Sequence, residues 1–225
     1  MNTKPRRSSD TDGLKQERAI RTKALILDAA AETFAGKGYP DTTILDIAEL
    51  TGATKGAVYF HFANKNALAV AVAEEFYIRL QQAAEEVLDG DARPLDAVAA
   101  LLTRTGELFR DDRVIQAGAR LQIEQSLIDA DLPAPFVDFT ERITGLLRQA
   151  AEAGELPGGS SPEALGRVLV SAFFGAQYMS WILNARADIF DRVQEILAAV
   201  LPQVTGQVTG QVSGQVSGRA TTAGR

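Results

Sequence analysis

The 225-residue chain has no cysteine, one histidine, one tryptophan and two methionines. Without cysteine it can form no disulfide, no thiolate metal site and no cysteine nucleophile. A single histidine, His61, is too little for a nucleophilic triad or a zinc site. The carboxylate pairs Asp111-Asp112 and Glu74-Glu75 are adjacent in sequence and point to different sides of a helix, so they make no acid/base pair. Catalysis is therefore not expected, and no metal or cofactor is called for. The start, MNTKPRRSSDTDGLKQER, lacks the apolar core of a secretory signal, and a cytoplasmic location is expected. The most apolar run, RVLVSAFFGAQYMSWIL from Arg167 to Leu183, is interrupted by Arg167, Gln177 and two serines, so no membrane span is expected. No stretch alternates at period two, and strands are not expected either.

Acidic residues outnumber basic ones, for a net charge of -6, but the balance is uneven along the chain. Residues 1–65 hold ten Lys/Arg against eight Asp/Glu, and residues 66–225 hold thirteen against twenty-one. In the first 23 residues Lys4, Arg6, Arg7, Lys15, Arg18, Arg21 and Lys23 face only Asp10, Asp12 and Glu17. A basic front end on an acidic body fits either a solvated tail or an arm that seeks phosphate.

The apolar periodicity predicts an all-α chain. Ile20, Ala24, Leu27, Ala31 and Phe34 recur at spacings of three and four, predicting a helix over Glu17 to Lys37 that Gly36 and Gly38 end. Thr43-Ile44-Leu45-Asp46 has the form of a capping box for a short helix that Gly52 terminates. Thr54 caps a helix from Lys55 to His61, and Asn64 caps one reaching Leu88. Further helices are predicted over Leu95 to Phe109, Val114 to Ile128, Val137 to Ala153, Pro162 to Asn184 and Ile189 to Leu201. The last two carry more apolar surface than one domain needs, which predicts a homodimer with Trp181 at its face. After Pro202 the repeat VTGQVTGQVSGQVSGR has too little apolar mass to order itself.

Two short helices joined across Leu50-Thr51-Gly52-Ala53 make a helix-turn-helix unit. Val58 and Phe62, four apart, face the core, while Lys55 and Tyr59 share an outward stripe. Tyr59 and His61 by themselves could cover the edge of a small core. Beside Lys55, Gly56 and Lys65, with Thr42 and Thr43 at the preceding helix start and a basic arm upstream, they read as phosphate donors of a DNA-binding module. Gly56 lets backbone approach base edges in a major groove.

On the segments ILDIAELTGATKGAVYFHF and NKNAL, residues 18–70 resemble the DNA-binding domain of the TetR family of bacterial repressors. LFRDDRVIQAGARLQ, DADLPAPFVDF and SAFFGAQ extend the resemblance over residues 15–201, to the γ-butyrolactone-type autoregulator receptors and most nearly to those for furan or butenolide signals. The resemblance implies a homodimeric repressor that leaves operator DNA when a small signalling molecule binds. Composition and resemblance together divide the chain into a flexible basic arm (1–14), a helix-turn-helix domain (15–65), a ligand-binding and dimerisation domain (66–201) and a disordered tail (202–225), the arm and tail lying outside the resemblance.

Carried over by position, Lys55 and Gly56 approach bases, and Thr43, Thr54, Tyr59, His61 and Lys65 hold phosphates; Arg21 and Thr42 join them in the candidate DNA-binding set. Tyr77 and Gln122 match polar pocket positions, and Phe136 and Phe139 match its aromatic rings, with Phe139 standing where many members have Trp. Phe173 and Gln177 complete the candidate ligand set. Read without the resemblance, Tyr77 is a surface tyrosine beside Phe76, Gln122 a solvated glutamine and Phe173 a core residue. A receptor-like regulator answering to an antibiotic, an intermediate or a protein partner is the alternative.

Overall fold

The computed structural model describes residues 8–88, 92–134 and 136–201, without the side chains of residues 8–12 and 14. The tail expected over 202–225 and the first seven residues of the expected arm lie outside the described residues. All regular structure among the described residues is helical: α1 (Ser8–Lys37), α2 (Ile44–Thr51), α3 (Lys55–His61), α4 (Lys65–Leu88), α5 (Pro94–Asp111), α6 (Arg113–Ile123), α7 (Val137–Glu152), α8 (Pro162–Asn184) and α9 (Ile189–Val200), with a 3-10 turn at Gln125–Leu127. No described helix is long and apolar enough to cross a membrane.

The described residues fall into two compact units, one within 1–79 and 112–133 and the other within 80–111 and 134–225. This grouping differs from the expected boundary at residue 65, because the first part of α4 and all of α6 pack with α1–α3.

In the first unit α1 packs on α6 and α2, and α2 on α3. Ile26, Ala30, Phe34, Ile47, Val58, Leu68, Val72, Phe76, Ile115 and Leu121 are fully buried there. The caps read from the sequence form. Thr43 Oγ1 accepts the Asp46 N–H at 3.2 Å while Asp46 Oδ2 accepts the Thr43 N–H at 2.8 Å. Gly52 closes α2 at a left-handed φ of 67°, and Thr54 Oγ1 accepts the Ala57 N–H at 3.2 Å. Asn64 Oδ1 accepts the Ala67 N–H at 2.8 Å.

Two expectations need correction here. α1 begins at Ser8, earlier than Glu17, and Ile20 is 64% exposed. The buried stripe starts at Ile26, so the first half of α1 is helical with Ile20 left unpacked. The predicted helix from Val114 stops at Ile123, where Glu124 turns into the 3-10 segment. Asp112 Oδ1 caps its start by accepting the Val114 and Ile115 N–H groups, and Arg79 of α4 donates to both oxygens of the same carboxylate at 3.0 and 2.8 Å.

The second unit is built from α5, α7, α8 and α9, with α7 on α8, α5 on α9 and α7, and α8 on α9. Leu101, Leu102, Phe109, Ile143, Leu147, Leu169 and Phe173 are fully buried. α7 and α8 cross closely at Gly166, where a Cβ would lie 2.4 Å from Thr144 Oγ1. One side of α8 packs through Leu169, Val170, Phe173, Gln177 and Ser180, while Val168, Met179, Ile182 and Leu183 are each more than half exposed. Trp181 lies beside Tyr178, with ring centroids 5.9 Å apart.

Candidate nucleic-acid interface and ligand residues

α3 is a seven-residue helix anchored by one stripe: Val58 and Phe62 are 0% and 5% exposed. The opposite stripes carry Lys55, Gly56, Tyr59 and Phe60, all exposed. Around Gly56 a Cβ would meet only Thr54 Oγ1, at 3.8 Å, so the backbone there is open to a ligand. His61 is half-buried, with its ring 5.1 Å from that of Phe60 and nearly perpendicular to it. The ring that projects most is Phe60, to which the sequence pattern assigns no role.

The threonines separate. Thr43 and Thr54 are exposed, and their hydroxyls are occupied as helix caps. Thr42 is 1% exposed and donates to Gly38 O at 2.6 Å, so its hydroxyl braces the α1–α2 turn and does not reach a phosphate. Lys65 is similarly committed. Its Nζ donates to Tyr39 O at 2.8 Å and to Pro40 O at 3.4 Å and lies 4.2 Å from the Tyr39 ring centroid. Two of its three N–H groups thus tie the start of α4 to the α1–α2 turn. Arg21 is exposed on α1, 3.8 Å from Glu17.

The same turn is held from α6. Arg120 donates from Nη1 to Ala35 O and Gly36 O at 3.1 and 2.9 Å and from Nη2 to Lys37 O at 3.1 Å, satisfying carbonyls that a helix end leaves unpaired. Its Nε donates to Glu124 Oε1 at 2.9 Å, and Glu124 Oε2 accepts the Tyr39 N–H. On α2, Asp46 is held down to a pKa of about 2, chiefly by the Lys37 ammonium hydrogen-bonded to it and then by the Thr43 hydroxyl and N–H.

The candidate ligand residues lie in both units. In the first, Gln122 is 9% exposed, and neither its amide nitrogen nor its amide oxygen has a hydrogen-bond partner. The solvated-glutamine reading is therefore corrected. Gln122 lies in the last turn of α6. Tyr77 has its hydroxyl buried, and its ring meets Phe76 at 4.9 Å. Both share a unit with α1–α3, whereas the sequence predicts them in the second domain.

In the second unit Phe136 and Phe139 pack with Phe174, at 4.0 and 5.8 Å between centroids, and Phe139 and Phe109 flank Phe173 at 6.2 and 5.8 Å. Gln177 is 4% exposed, with its amide oxygen unpaired. Phe173 is fully buried, as its core reading requires.

A capped α2, a left-handed glycine turn and a short α3 that presents lysine, bare backbone and aromatic rings define a helix-turn-helix DNA-binding regulator. The chain belongs to the tetR family of bacterial regulatory proteins, whose family model matches residues 26–72. It is 31% identical over 188 residues to the A-factor receptor protein of Streptomyces griseus, covering 84% of this chain and 65% of that relative. It thus spans just under two thirds of that protein's length. A structure solved for the molecular basis of control of antibiotic production by bacterial hormones is 49% identical, with a TM-score of 0.76 over 82% of this chain and 97% of the other. A gamma-butyrolactone receptor, an ArpA-like protein, is 28% identical with a TM-score of 0.64 over 80% and 97% of the two chains. The family is one of bacterial regulatory proteins, and two of these relatives are receptors by name.

Proposed function

We propose that this protein is a repressor that binds a pseudo-palindromic operator as a homodimer and is released by a small signalling molecule of the γ-butyrolactone, butenolide or alkyl-furan type. Its targets are genes of antibiotic biosynthesis, and it works in the cytoplasm. Lys55 and the bare backbone at Gly56 read bases; Tyr59, His61, Arg21 and Thr54 hold the DNA backbone. The exposed apolar side of α8, with Phe190 of α9, is the dimer face.

The observation that carries ligand release is the Gln122 amide. A buried amide with neither atom paired costs about 1–3 kcal/mol, a cost that a ligand's polar head removes. Tyr77 supports the same head. Phe136, Phe139, Phe173 and Gln177 remain candidate ligand contacts on the strength of the family resemblance.

Gln122 lies on the helix whose last turn grips the end of α1, so a ligand that shifts α6 bears on the turn that sets α2 and α3. Release requires that the ligand prefer the form that cannot bind DNA, since equal affinity for both forms shifts nothing.

The test is operator DNA enriched from random duplexes, bound to the full-length protein and titrated with synthetic γ-butyrolactones, butenolides and 2-alkyl-furan carboxylates. Release by one class and not the others assigns the signal. Binding of operator with no response to any class contradicts this reading and favours an antibiotic or a protein effector.

A further inference from the structure

Phe60 is 81% exposed, more than any other large apolar side chain among the described residues. It lies on a helix short enough that two residues, Val58 and Phe62, supply its buried stripe. Gly56 and Phe60 are four apart and share one stripe of α3, so the bare backbone at Gly56 is followed one turn later by a ring. Where that backbone comes close to base edges, the ring on the same stripe comes with it.

We propose that Phe60 is a specificity residue that packs on the C5-methyl group of a thymine in each operator half-site. The benzyl ring neither donates nor accepts a hydrogen bond, so it holds no phosphate and reads no polar base edge. In the major groove the single apolar feature of the base code is the thymine methyl. The neighbouring stripe, Lys55 and Tyr59, supplies polar groups for base edges and phosphates, which leaves the methyl to Phe60. The proposal rests on α3 being the reading helix.

The experiment uses operator duplexes enriched from random DNA by the full-length protein. Each thymine of one half-site is replaced in turn by deoxyuridine, which keeps the base pair and removes only the methyl group. At one position the replacement should weaken wild-type binding about fourfold, the value of one buried methyl. Phe60→Ala should lose at least that much affinity on the thymine operator, be indifferent to deoxyuridine at that position, and respond as wild type at the others. Its melting temperature should match wild type, because the side chain is exposed.

A Phe60→Ala protein that binds like wild type, or that keeps its sensitivity at every thymine, overturns the proposal. An operator with no methyl-sensitive position overturns it while leaving α3 as the reading helix. Enrichment of no sequence at all overturns the role of α3 and this proposal together.

Discussion

Glu124 and Tyr39, 85 positions apart, meet at 2.6 Å, the Tyr39 backbone N–H donating to Glu124 Oε2. The other carboxylate oxygen holds Arg120, whose guanidinium covers the last carbonyls of α1. Both side chains are about four-fifths buried. Arg120→Ala should therefore lower stability by about 2 kcal/mol, the range for hydrogen bonds to a charged group, and weaken operator binding as well. Urea unfolding with an unchanged midpoint would show that the contact contributes nothing.

α4 and α6 cross where Gly118 meets Phe76. A Cβ at Gly118 would lie 2.3 Å from Phe76 Cβ and 2.4 Å from its ring. Gly118→Ala must push the helices apart or displace the fully buried ring, at a cost of roughly 1–3 kcal/mol. The pair Gly118→Ala with Phe76→Ala should be less destabilised than the two single effects summed, which a double-mutant cycle in urea reads directly.

Asp46 sets a pH dependence of the α2 cap. Its folded pKa of about 2 lies below the reference 3.8, so the carboxylate stabilises the fold in full above the unfolded value. That contribution fades as pH falls toward 2. Asp46→Asn should flatten this part of the stability profile between pH 4 and 2, and an NMR titration placing the Asp46 carboxyl near 3.8 would contradict the assignment.

The local features of the reading head were legible in the sequence, and the long-range ones were not. Thr43 with Asp46, Thr54, Asn64 and the left-handed Gly52 act within four residues of themselves, so spacing alone identifies them. The second commitments of Thr42 and Lys65 are not legible in the sequence, because their partners, the Gly38 and Tyr39 carbonyls, depend on how the α1–α2 turn folds back. Arg120 and Glu124 carry no local signal, since what they hold lies more than eighty residues away. Ile20 kept the helical period yet faces solvent, because period reports a face and not what covers it. Gln122 and Tyr77 came from the family resemblance and not from their own pattern.

Gln122→Leu separates folding from response. It replaces a buried unpaired amide by an apolar group of similar size, so it should raise stability by up to about 1 kcal/mol and leave operator affinity unchanged. It should also need at least about tenfold more signalling molecule for release, corresponding to about 1.4 kcal/mol of lost head-group binding. Wild-type response in this variant would remove Gln122 from the ligand site.

Calorimetry of one releasing compound, taken into the free protein and into its complex with operator, closes the cycle that a ligand-released repressor must obey. Operator should lower affinity for the compound by the same factor by which the compound lowers affinity for operator, because the two couplings are one free energy. Equal affinity of the compound for free and operator-bound protein would contradict ligand-released repression outright.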